Sequence, residues 1–137
     1  MANTVISMDA ASKALDEGIT GLLDADTDAA SVKIFDSEDE EIVEITLQDP
    51  SFGTAATDGE TPASAKISVE GEPSGTATAT ATADHYEAYD GSGVKVIEGT
   101  CGEAASGAEM ILNTTNIESG AIVTIESWDV FMPTQAA

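Results

Sequence analysis

The stretch MILNTTNIESGAIVTIESWDVFMP, residues 110–133, reads as two β-strands joined by a turn. On the first arm Met110 and Leu112 share one side, Ile111 and Asn113 the other. Glu118-Ser119-Gly120 supplies the turn, because glycine takes a positive φ without steric cost. The second arm, Ala121 to Met132, is long for a strand. Val123 and Ile125 form one face, Thr124 and Glu126 the other, the alternation of a half-buried strand. From Trp128 the phase changes: Trp128, Val130 and Met132 now alternate with Asp129 and Phe131. A bulge near Ser127 accounts for the switch, and so does a strand end covered on both faces. Pro133 closes the arm, since it has no amide to give to a ladder.

Working outward from this pair, the same kind of segment recurs. Val32 and Ile34 alternate with Ser31 and Lys33; Val43, Ile45 and Leu47 alternate with Glu44 and Thr46; Ala63, Ala65, Ile67 and Val69 alternate with Ser64, Lys66, Ser68 and Glu70. Asp49-Pro50 stops the second of these, and Phe52 is expected to plug the core. The run TATATATA, residues 76–83, also has period two, with alanine on one face and threonine on the other. Its methyl-sized face predicts the close approach of another layer, the opposite sheet or, as placed here, an N-terminal helix. That helix is read from Met8, Ala11, Leu15, Ile19, Leu22 and Leu23, spaced by threes and fours, with Ser7 or Asp9 as its cap. Gly18 and Gly21 weaken it, so it depends on packing.

These segments predict an all-β fold: an antiparallel β-sandwich of about eight or nine strands with one N-terminal α-helix packed on it. The chain of 137 residues fits one domain, with an N-terminal arm at 1–6, the helix at 8–24, the sandwich at 31–133 and a tail at 134–137.

Charge narrows the partners. There are 26 acidic residues against four lysines and no arginine, a formal charge of −22. Nucleic acid and anionic membranes are disfavoured, because both are held by Lys and Arg. The start MANTVISMDAASKALDEG has neither the basic region nor the apolar core of a secretory signal in order, so synthesis in the cytoplasm is expected.

No motif carries catalysis. Asp24, Asp26 and Asp28 match the first three ligand positions of a calcium loop, but Ala29 stands where glycine is needed and Phe35 where a bidentate Glu is needed. They remain weak metal candidates only. His85, the sole histidine, reads as a surface or strand-edge residue beside Tyr86, and Cys101, the sole cysteine, as a small structural or loop thiol with no partner for a disulfide. No enzyme activity and no cofactor are expected.

The order of segments is informative where the segments themselves are not. The amphipathic ALDEGITGLLDA is followed by LQDPSFGTAA, by GTATATATA, by YDGSGVKVIEG and finally by LNTTNIESGAIVTIES. This series, from about Ala14 to Pro133, resembles a family of small virion structural proteins encoded beside the major capsid protein in tailed bacteriophages. The resemblance implies a virion role, most simply a capsid decoration or cement protein on the outer surface of the head. Its partners would be the major capsid protein and further copies of itself, in a trimer matching the local symmetry of the lattice or in another homo-oligomer. The alternatives are a tail or head–tail connector component, and, in another class, a small soluble acidic domain of a salt-adapted cell. On the decoration reading Trp128, Val130, Phe131 and Met132 are the interface candidates, because aromatic anchors are favoured at interface centres. The competing reading of the same residues is a two-sided core strand.

Overall fold

The computed structural model describes residues 5–60 and 63–134; most of the expected N-terminal arm, the end of the tail, and Thr61 and Pro62 of the loop at 54–62 lie outside the described residues. The helix starts as α1 (Met8–Lys13), where Ser7 Oγ accepts the Ala10 amide at 3.1 Å. It continues as a π-helical segment (Ala14–Thr20) and closes with the turn α2 (Gly21–Leu23). Ala11, Leu15, Ile19 and Leu23 recur every four residues, a spacing that a regular α-helix would rotate by roughly 40° per step. The wider π turns hold them on one side: Ala11, Leu15 and Leu23 are buried and Ile19 packs against them. Leu22 falls off that face and is exposed, contrary to the sequence expectation.

The strands are β1 (Ser31–Phe35), β2 (Glu41–Thr46), β3 (Ala56–Thr57), β4 (Ser64–Ser68), β5 (Ser74–Thr76), β6 (Ala81–Thr82), β7 (His85–Tyr89), β8 (Lys95–Gly102), β9 (Met110–Leu112), β10 (Asn116–Ile117) and β11 (Ile122–Pro133). Nine of them form one sheet in the order β2-β1-β7-β8-β9-β11-β4-β3, with β5 also on β11; β6 and β10 make a separate short ladder. The fold is the expected β-rich sandwich with one N-terminal helix, and the sheet does not close into a barrel.

β11 organises the sheet. It pairs with β5 at Ile122–Thr124, with β9 from Ile125 to Trp128 and with β4 at Asp129–Pro133. Against β9 the register slips between Ile125 and Ser127, so the phase change in the sequence is a β-bulge. Glu126 and Ser127 both point to solvent, and the apolar set resumes on the same inner face: Val123 and Ile125 before the bulge, Trp128 and Val130 after it are buried. The strand end is not covered on both faces, since Phe131 is 49% exposed.

Three expectations about packing are corrected. The run at 76–83 is not one strand: β5 ends at Thr76, a bend follows, and β6 holds only Ala81–Thr82. The alternation survives the break, with Ala77 and Ala83 buried and the threonines outward. The helix does not lie over this run but over β3, β4 and β11. What approaches the small residues is β2: a Cβ on Gly75 would collide with the Glu44 carbonyl and stand 3.2 Å from Val43 and Ile45, while the Thr78 amide donates to the Ile42 carbonyl at 2.8 Å. Finally, β8 and β9 run parallel, Cys101 opposite Met110 and Gly102 opposite Ile111. Parallel neighbours normally need a long crossover. A short loop suffices here because the two strands overlap by only those two pairs.

Candidate functional site

The bulge delivers Trp128 into the centre of the molecule. Its ring meets Phe52 edge-on at 4.7 Å and Tyr86 at 4.9 Å between centroids. Its Nε1–H donates to the Tyr86 hydroxyl at 3.0 Å, so the polar atom of the indole is satisfied inside the core. Phe52 is held in place by a bridge to Val69, and Tyr86 by β7 between β1 and β8. All three rings are buried. Burial, and then the charge of Glu109, drive the Tyr86 hydroxyl well above its ordinary range. The group therefore serves as a fixed acceptor for the indole.

This placement divides the four interface candidates. Trp128 and Val130 have no surface left to offer a partner, because the subunit's own core consumes it. Met132 is partly buried against that core. Phe131 alone of the four stands on the outer face, opposite Lys66 of β4, which in turn pairs with Ala56 of β3. At the end of the same strand the Ile6 amide donates to the Thr134 carbonyl at 2.6 Å, which brings the exposed Val5 and Ile6 to the end of β11. The outer face of β4–β11 thus carries an exposed aromatic ring, Phe131, opposite a cation, Lys66. The signal in the sequence was the residue out of phase with Trp128 and Val130, Phe131 itself.

The outer face of β1, β7 and β8 is different in character. Lys33 lies 3.5 Å from Glu41 and over the Tyr89 ring, and Lys95 bridges Glu98 at 3.3 Å and Glu87 at 3.8 Å. Tyr89 donates to the Glu87 carboxylate, and that bond pushes its hydroxyl up to about 12. Such exposed pairs contribute little to stability, but they spend two of the four lysines inside the chain.

The acidic candidates at the end of the helix are not brought together as ligands. Asp24 turns both carboxylate oxygens to the Ser51 amide, at 3.0 and 3.2 Å. Asp26 accepts the Asp28 amide at 3.1 Å, closing a local turn. Among the described residues no group of three or more His, Cys, Asp or Glu is arranged to hold a metal ion. The helix carboxylates act instead as tethers, since Asp16 likewise accepts the Ala55 amide at 2.8 Å. Between the helix and this tethered segment lies a cavity of about 370 Å³ lined by Asp16, Thr20, Pro50, Phe52, Gly53, Thr54 and Glu70. Its polar lining is rich in acceptors and carries negative charge, so it disfavours anions.

Cys101 is buried, and burial followed by the charge of Asp84 pushes its thiol up to about 12. That environment keeps it a protonated core residue. His85 lies at the start of β7, stacked on Phe35 and flanked by Asp39 and Asp84. No family model, no curated protein and no solved structure matches this chain.

Proposed function

We propose that this protein is a bacteriophage capsid decoration protein, which binds the outer surface of the head and stabilises the contacts between capsomers. The ordered series of segments from Ala14 to Pro133 supports the reading. So does the charge of −22, which suits a protein that faces solvent and stays off packaged DNA. The observation that carries it into chemistry is Phe131. It is a half-exposed aromatic on a strand whose inner face is already filled, opposite Lys66. An exposed aromatic anchor is what a lattice-binding surface needs at its centre.

The mechanism is mass action. A subunit that binds the assembled lattice and not its separated capsomers stabilises the assembled state, and many copies multiply a modest affinity. The partners are the major capsid protein and further copies of this chain in a cyclic oligomer. Mixing the purified protein with undecorated heads and imaging them tests this. Density over the capsomer seams, in hundreds of copies, is the expected outcome. A few tens of copies at the tail would instead assign the chain to the tail or connector. Absence from particles altogether would leave the acidic soluble domain.

A further inference from the structure

The cavity of about 370 Å³ between the helix and the 50–55 segment has walls of one chemical kind. From the helix come Asp16 and Thr20, four residues apart in the π-helical segment, whose wide turns keep that spacing on one side. Glu70 adds a second carboxylate beside Gly53. A Cβ on Gly53 would stand 2.9 Å from Glu70 Oε1, so the missing side chain is what admits the carboxylate. Pro50 and Phe52 supply apolar wall, and no lysine lines the space.

The backbone donors along this wall are already taken. Ser51 gives its amide to Asp24 at 3.0 Å, Gly53 to the Ser68 carbonyl at 2.9 Å, Ala55 to Asp16 at 2.8 Å and Glu70 to the Ser51 carbonyl at 3.0 Å. Two hydroxyls are left over. Thr20 Oγ1 and Ser51 Oγ are buried without a hydrogen-bond partner, and among the described residues they are the only such side-chain atoms. Thr20 lines the cavity, and Ser51 is fully buried between Pro50 and Phe52, which both line it. Buried polar atoms are paired as a rule. Two orphans gathered at one cavity mark a place where the partner comes from outside the chain.

We propose that this cavity binds the ammonium end of an organic amine. Asp16 and Glu70 repel an anion. A bare metal ion wants more ligating side chains than two carboxylates, and no group of three is arranged for one among the described residues. An alkylammonium brings a positive charge and three N–H donors, which match the acceptors Asp16, Glu70 and Thr20. Asp16 can take part because the Ala55 amide occupies Oδ1 alone. The carbon chain of the amine would lie on Pro50 and Phe52. A free amine and a lysine side chain offered by another protein present the same group.

Nuclear magnetic resonance of the full chain titrated with n-butylammonium tests this. The amides of Thr20, Gly53 and Glu70 should shift together and saturate. Tetramethylammonium has the same charge but no N–H, and should leave them in place. Glu70→Gln should weaken binding about tenfold, the order of one charge-assisted hydrogen bond. Thr20→Val removes an unpaired hydroxyl at nearly constant shape, so the fold should be kept while binding weakens. Nα-acetyl-lysine methylamide separates the two sources. Binding as tight as that of butylammonium assigns the site to a protein lysine, and binding of butylammonium alone assigns it to a free amine. Shifts that never saturate, that tetramethylammonium reproduces, or that persist unchanged in Glu70→Gln overturn the proposal, and the cavity then holds water only.

Discussion

Before its bulge, β11 is flanked by β5, whose Gly75 presses on β2; after it, β11 is flanked by β4 and lies beneath the helix. The first half buries branched aliphatic side chains next to a strand that carries a glycine. Val123 and Ile125 face inward, and the closeness of the two layers is set by residues with little or no side chain. The second half packs large against large, Trp128 on Phe52 and Tyr86, in a space that the helix and the 50–55 segment enclose. One strand can serve both because the extra residue at the bulge resets the alternation without turning the apolar face away. The difference shows that one strand can meet its surroundings in two ways: where Gly75 stands next to it a side chain would strike the β2 backbone, and where Trp128 stands three aromatic rings fill the interior.

The largest effect should come from breaking the phase that the bulge sets. One alanine inserted between Ser127 and Trp128 moves Asp129 and Phe131 to the inner face and Trp128 and Val130 to solvent, since a one-residue slip inverts every side chain beyond it. The expected result is a chain without cooperative unfolding or a fixed Trp environment, read by fluorescence and circular dichroism. Deleting Ser127 instead leaves Glu126 outward and Trp128 inward in regular alternation, so that variant should still fold; an insertion variant that folds as well would mean that the phase of the second half is not fixed by its apolar face.

Trp128→Ala leaves the register intact and removes the largest core side chain, at a cost of about 3–5 kcal/mol. Its urea midpoint should fall further than that of Ile125→Val in the first half, for which about 0.5–1.5 kcal/mol is expected. Equal losses in the two halves would erase the distinction between them.

Tyr86→Phe keeps the ring and strips the acceptor from the indole N–H, which should cost about 1–3 kcal/mol for the buried donor left unpaired. It also changes the alkaline response. The folded-state pKa of Tyr86 is raised, so its contribution is whole below the unfolded value of about 10 and is lost as pH rises through the folded one. Stability of the native sequence should therefore fall above pH 10, and that fall should be shallower in Tyr86→Phe. Midpoints measured along an alkaline series decide it.

Phe131→Ala should have the smallest effect on the subunit, within about 0.5 kcal/mol, as for surface substitutions generally. On the proposed function it should nevertheless abolish or sharply weaken attachment to heads, measured by cosedimentation. Undiminished attachment would move the contact surface elsewhere.

Much of the fold was legible because period and phase survive in linear order. The alternation in Val32–Ile34, Val43–Leu47 and Ala65–Ile67 predicts strands that the structure contains, and Ser7 announces the cap of the helix. The bulge was legible as a phase change, though choosing it over a two-sided strand required the exposure of Phe131. What was not legible depends on contacts between distant segments. Nothing local says that Asp24 will be occupied by the Ser51 amide, or that Asp39 and Asp84 will meet on one imidazole. The run at 76–83 misled because period two specifies which way side chains point, not whether a partner strand exists along its whole length. β11 pairs with β5 up to Thr76, Ala77 still exchanges hydrogen bonds with Gly120 and Ala121 at the turn, and beyond it the chain bends.

The position of β11 along the chain also bears on how a nascent polypeptide fares. β4, β5 and β9 all precede the strand that completes their pairing. Until that segment is made, their hydrogen-bonding edges stay open, the condition in which neighbouring chains adhere edge to edge. Like charges repel, so a net charge of −22 opposes such contact between unfinished chains.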